Sequence, residues 1–262
     1  MIHPKSSRDV DLMKRLLAPI FNRIARSLGV EELQRRLDGV EIQLGSRSVS
    51  DALYADIEER FRGDSETIKN RQRFYVPHIE ASLSGLPVLD LGSGRAEWME
   101  ILHERGIEAV GIDSNQQFVE SARSRGLNVS HGDLLQHLAT RPDSSAGAVT
   151  MFQVAEHLPL GVLESVITHA HRVLCEGGTL VVEIPNIETL RVGAATFWID
   201  PTHERPLFPE FLVFMVQRAG FTDVQRVTST PLSTPPTGLS GTELEMFTRI
   251  NGDGDFAVIA RK

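Results

Sequence analysis

The sequence predicts an α/β fold: a doubly wound, seven-stranded sheet, parallel except near its C-terminal end, preceded by a helical extension. Three observations predict it. From residue 87 onward, short apolar runs alternate with segments of helical periodicity, the pattern of parallel strands joined by crossover helices. The first of these runs, Val88-Leu-Asp-Leu91, passes directly into the turn Gly92-Ser-Gly94, which is where such a sheet meets a ligand. Near the C-terminus, strand-like runs at 224–228 and 256–260 are joined by a Pro-, Gly-, Ser- and Thr-rich segment with no helical pattern, so the two should pair antiparallel.

The elements follow in order. Apolar pairs at Leu12/Met13, Leu16/Leu17, Ile20/Phe21 and Ile24/Ala25 predict a helix that Pro19 kinks and Gly29 ends. Val30, Leu33, Leu37, Val40 and Leu44 keep a heptad rhythm, which serves either packing on the chain's own domain or a homodimer contact. Helices are expected at 49–62 and 64–82. Residues 1–85 thus form a helical lid or dimerisation extension and residues 86–262 the α/β domain. In that domain, strands at 88–91, 109–112, 128–130, 148–152 and 179–184 alternate with helices at 96–105, 116–125, a short one from Leu134, and 161–174. The last of these shows apolar positions at Val162, Leu163, Val166, Ile167, Ala170, Val173 and Leu174, and Gly177-Gly178 is expected to end it. A helix at 209–219 precedes the final strand pair.

The 262 residues, 41% hydrophobic, suffice for one large core with a smaller appendage. A net charge of −8 argues against a nucleic-acid partner, which calls for a basic footprint. The single cysteine, Cys175, excludes an internal disulfide and reads as a small core residue in a reducing compartment. No apolar run reaches the ~18 residues of a membrane helix, and Met1-Ile-His-Pro-Lys-Ser-Ser-Arg8 lacks a signal-peptide apolar region. A cytoplasmic protein without membrane insertion is expected.

The glycine turn discriminates between cofactors. A dinucleotide fingerprint requires a small residue three positions after Gly94, and Glu97 stands there. No Gly-Lys-Ser/Thr follows, so a phosphate loop is also excluded. Gly92-Ser-Gly94-Arg-Ala96, with Asp90 ahead of it, resembles the first motif of class I S-adenosylmethionine-dependent methyltransferases, a Rossmann-like fold, with Ala96 where many relatives have glycine. The resemblance implies S-adenosylmethionine as cofactor, held by Asp90, Gly92, Gly94, Asp113, Ser114, Asp133, Leu134 and Gln153. Asp113 would accept the ribose hydroxyls and Asp133 the adenine amine. Arg62, in a lid, would meet the cofactor carboxylate.

A second stretch concerns the acceptor. Phe152-Gln-Val-Ala-Glu-His157 closes the fourth strand, and Asp200-Pro-Thr-His-Glu-Arg-Pro206 follows the fifth. With Phe61-Arg-Gly63 and Arg71-Gln-Arg-Phe-Tyr75, the latter resembles bacterial methyltransferases of surface and methylated polysaccharides. The resemblance implies a sugar hydroxyl as acceptor. Such a hydroxyl is a poor nucleophile and gains from a general base. His157 and His203 are the candidates, whichever is not the base binding the acceptor, with Glu156, Asp200 and Glu204 to orient them. Trp198, Arg205 and Tyr75 would contact the acceptor. No metal is expected, because only Glu156 is acidic at the fourth-strand exit. Two other readings stay open: a small-molecule O- or N-methyltransferase of secondary-metabolite or quinone type, and a non-catalytic methyltransferase-like scaffold.

Overall fold

A computed structural model describes residues 49–228 and 232–262. The helix expected over Leu12–Ala25 and the heptad stretch Val30–Leu44 lie outside those residues. Residues 50–262 form one compact unit, so the helices between 51 and 80 pack as part of it. They are α1 (Asp51–Phe61), α2 (Ser65–Gln72) and α3 (Val76–Glu80), with a 3-10 turn at Arg73–Tyr75. The expected single helix over 64–82 breaks because Pro77 has no N–H to donate to the Arg73 carbonyl.

Seven strands then form one sheet: β1 (Val88–Leu91), β2 (Ala109–Asp113), β3 (Val129–His131), β4 (Ala146–Phe152), β5 (Leu174–Pro185), β6 (Thr222–Val227) and β7 (Asp255–Arg261). Their order is β3-β2-β1-β4-β5-β7-β6. β1 to β5 are parallel, and β7 runs antiparallel to both β5 and β6. The order reverses between β1 and β4, so the cleft belongs at the carboxyl ends of those two strands. The crossovers are α4 (Glu97–Glu104), α5 (Gln116–Ser124), α6 (Leu134–Thr140) and α7 (Leu160–Val173). α7 buries Leu163, Val166, Ile167, Ala170 and Val173 against the sheet, one 3.6-period stripe.

Two sequence expectations need correction. Gly177-Gly178 does not end α7. The helix stops at Val173, and Leu174 already pairs with Ala146. The pairing then skips to Ala148↔Thr179, so both glycines sit in an irregularity of β5. The segment before β7 is also not all loop: α10 (Gly241–Asn251) lies within it. None of its residues is buried, and its neighbours at 229–241 are rich in Pro, Gly, Ser and Thr. α8 (Leu190–Ala194) and α9 (Pro209–Arg218) complete the described elements. Among the described residues, no helix is long and apolar enough to cross a membrane.

Candidate active site

The cleft is built first by backbone conformation. Gly92 and Gly94 both have positive φ, +74° and +50°, a region side chains rarely adopt. A Cβ on Gly92 would stand 2.5 Å from Val154. The turn can therefore only be glycine there, and it lays bare backbone at the carboxyl edge. Asp90 supports it from below: 2% exposed, it accepts Thr150 Oγ1 at 2.8 Å. Burial pushes its carboxyl up to about 6.

Asp113, at the end of β2, accepts the Gly94 N–H at 2.7 Å on one oxygen and the Asn115 N–H at 2.8 Å on the other. Both oxygens are thus fixed, each with lone-pair capacity left for a hydroxyl. Asp133 caps α6 through Gln136 N at 2.7 Å, which leaves its second oxygen for an amine. Leu134 packs partly buried on the main core, and Ser114 is exposed. Gln153 takes φ +58° and reaches Glu183 and Asp255. The turn, the β2 carboxylate and the β3-exit carboxylate together fit an adenosine-bearing methyl donor with no pyrophosphate.

α1 crosses this edge. Asp51 accepts Gln116 N at 3.0 Å, and Asn115 Nδ2 donates to the Asp51 carbonyl at 3.0 Å. The Tyr54 ring meets Phe118 and His157 edge-on, each at 6.2 Å. Arg62 binds Glu58 at 2.7 Å and lies 3.8 Å from where a Gly94 Cβ would sit. Burial acts to lower the pKa of this guanidinium, but Glu58 and then Glu97 more than offset it. The expected lid arginine therefore stands beside the glycine turn, already paired with Glu58.

Beside the donor site lies a cavity of ≈ 330 Å³, lined among others by Glu58, Gln153, His157, Glu183, Asp200 and His203. The two imidazoles meet at 4.7 Å between ring centres. Thr202 Oγ1 donates to Asp200 Oδ1 at 2.6 Å, so towards His157 Nδ1, 2.9 Å away, it can only accept. His203 Nδ1 faces the Phe197 carbonyl at 2.6 Å and must likewise donate. Both neutral rings thus carry their proton on Nδ1 and leave Nε2 bare. Burial, reinforced by His203, lowers His157 to about 4, and burial lowers His203.

Glu156 lies underneath, 0% exposed, with no hydrogen-bond partner for either carboxylate oxygen. Burial pushes it well above the usual carboxylate range. Its carbonyl accepts Glu204 N at 2.8 Å and Arg205 N at 3.4 Å. Glu204 and Arg205 thus fasten the two loops together by backbone, while their side chains are exposed. Trp198 is 60% exposed, its Nε1 donating to the Gly193 carbonyl. Tyr75 departs from expectation. It is fully buried, donates to Glu183 Oε2 at 2.6 Å, and packs at a tilt against Phe152, so it supports the cavity floor rather than touching an acceptor.

Sequence reasoning passed over Thr202, Tyr54, Glu58, Glu183 and Asp255. Only Glu183 carried a signal, as a lone acid inside an apolar strand. Burial, and then Asp255, push it up to about 7, against the Tyr75 hydrogen bond.

A model of the methyltransferase domain family matches residues 58–226. A probable S-adenosylmethionine-dependent methyltransferase of Mycolicibacterium smegmatis is 30% identical over 140 residues, covering 53% of this chain and 52% of that protein. A Mycobacterium tuberculosis protein described in the same words is 31% identical over 139 residues, 52% and 49% of the two chains. This chain therefore spans about half the length of the curated relatives it matches. The crystal structure of a methyltransferase from Archaeoglobus fulgidus superposes with a TM-score of 0.72 at 29% identity, over 80% of this chain and 99% of that one.

Proposed function

Because the chain belongs to the class I S-adenosylmethionine-dependent methyltransferase family, we propose that it methylates a hydroxyl of a carbohydrate acceptor, a bacterial oligo- or polysaccharide. One observation carries the reading: two histidines with bare Nε2 atoms line a cavity whose other polar walls mix carboxyl groups, Glu58, Glu183, Asp200 and Asp255, with the side chains of Arg62, Arg71 and Gln153. Such a wall offers both acceptors and donors, and each hydroxyl of a polyol is both.

S-adenosylmethionine supplies an electrophilic methyl on a sulfonium. The acceptor oxygen forms the new C–O bond, the S–C pair returns to sulfur, and the hydroxyl proton leaves. His157 or His203 would receive that proton at Nε2. Alignment of oxygen, methyl and sulfur is the largest contribution, worth up to about 7–11 kcal/mol. Here it would come from the cavity wall on one side and the Asp113–Gly94 frame on the other. A general base adds roughly 10²–10⁴-fold.

The test supplies methyl-labelled S-adenosylmethionine with fractionated bacterial extract. Label in carbohydrate is the expected result. Label in a small-molecule amine or phenol fraction would move the acceptor to that class. His157→Ala and His203→Ala should each lower turnover about 10-fold or more with donor affinity unchanged, and Asp113→Ala should abolish donor binding. If neither histidine variant loses activity, the base assignment is wrong.

A further inference from the structure

The cluster beneath the cavity has a property that proton transfer leaves unused. Glu156 is completely buried, and both of its carboxylate oxygens lack a hydrogen-bond partner. An ionised carboxylate in such a place is strongly disfavoured, so the group either keeps its proton or meets a cation. Among the described residues no lysine or arginine forms an ion pair with it. What faces it instead is a pair of imidazoles: one ligand atom each from Glu156, His157 and His203 lies within 4.8 Å of the others.

We infer that Glu156, His157 and His203 form a binding site for one divalent transition-metal ion. The second layer around the cluster fits that role. A metal-binding histidine needs its other ring nitrogen donating to a carbonyl or a carboxylate-linked group, which fixes the tautomer and raises its basicity. His203 Nδ1 donates to the Phe197 carbonyl at 2.6 Å. His157 Nδ1 donates to Thr202, which in turn donates to Asp200. Both free lone pairs are therefore Nε2, and both rings stand on the cavity wall. Ligands of a metal at ~2.1 Å stand roughly 3.0–3.5 Å from one another, so a bound ion would draw the three groups closer than the 4.8 Å within which they now lie. Two imidazoles and one carboxylate favour zinc, iron, cobalt or manganese over magnesium or calcium, which prefer oxygen ligands. Three protein ligands leave coordination positions open towards the cavity.

For its role, though not its existence, the site rests on the methyl-transfer reading. The acceptor hydroxyl would occupy an open position, where the cation acidifies it. Its proton would pass to solvent water and the metal-bound oxygen would attack the methyl. The cation would then do what a histidine base otherwise does. The expectation that no metal binds here weighed only carboxylates; the two histidines supply the missing ligands.

The experiment uses the full chain, stripped with a chelator and dialysed, with Co²⁺ alone as probe, no donor and no acceptor present. Calorimetry and the visible absorption of bound cobalt should report one equivalent per chain. His203→Ala and the near-isosteric Glu156→Gln should each weaken binding at least 10-fold, with S-adenosylmethionine affinity kept as evidence of folding. Absence of cobalt binding, or equal binding by wild type and both variants, overturns the site. If cobalt binds as expected but the stripped chain methylates at an undiminished rate, the activating role falls. If cobalt binds and no carbohydrate takes up label, the carbohydrate reading fails and the site stands.

Discussion

Replacing Thr202 by valine keeps its shape and removes one hydroxyl. That hydroxyl receives from His157 and gives to Asp200, so it dictates which imidazole nitrogen is bare. Without it, the ring can present Nδ1–H or Nε2–H to the cavity, and the wrong form neither accepts a proton nor holds a cation. Thr202→Val should lower turnover by about 10- to 100-fold while donor affinity, measured by calorimetry, stays the same. An unchanged rate would mean that the ring is oriented by Tyr54 and His203 packing alone. At this scale the site was half legible. His157 and His203 stand out because imidazole chemistry is scarce in a chain. Thr202 does not, since a threonine's role depends on what lies on either side of it.

At the scale of elements, α1 and α5 share a joint at Asn115. The Asn115 side chain caps α5 through Gln117 N and Phe118 N, and its amide reaches back to the Asp51 carbonyl. Asn115→Ala removes the cap and the tether together. It should destabilise the fold by about 1–2 kcal/mol and expose the 50–62 segment to limited proteolysis before the rest of the chain unfolds. Cleavage patterns matching wild type would show that α1 is held by Tyr54 and Arg62 instead. The regular crossovers were readable because each buried stripe repeats in sequence, as in α7. The contact between Tyr54 and His157 was not, because it links positions 54 and 157 only after α1 docks. α10 was hidden for a different reason: its short run lies inside a Pro-, Gly-, Ser- and Thr-rich segment that reads as loop.

For the whole molecule, stability depends on acids that the fold keeps protonated. Glu183 sits where β5 meets β7, facing Asp255, Tyr75, Gln153 and the charge of Arg62. Its folded value of about 7 exceeds its ordinary 4.5. Between those values the folded chain holds a proton that the unfolded chain has released, so stability falls as pH rises through this window. Glu183→Gln abolishes that dependence. Whatever the constant offset of the substitution, the variant should gain about 2 kcal/mol on wild type between pH 5 and pH 8 in denaturant melts. A difference that stays flat would mean that Glu183 is ionised in the fold. One feature of the architecture also sets a clock. α1 is fastened at Asn115 on one side and reaches Gly94 through Arg62 on the other, so it lies across the doorway of the donor site. If donor binds there as proposed, spent and fresh donor would exchange only when that doorway stands ajar. On the proposed donor site, each cycle would then include one opening of a helix, and the ceiling on turnover would be a mechanical frequency as much as a chemical barrier.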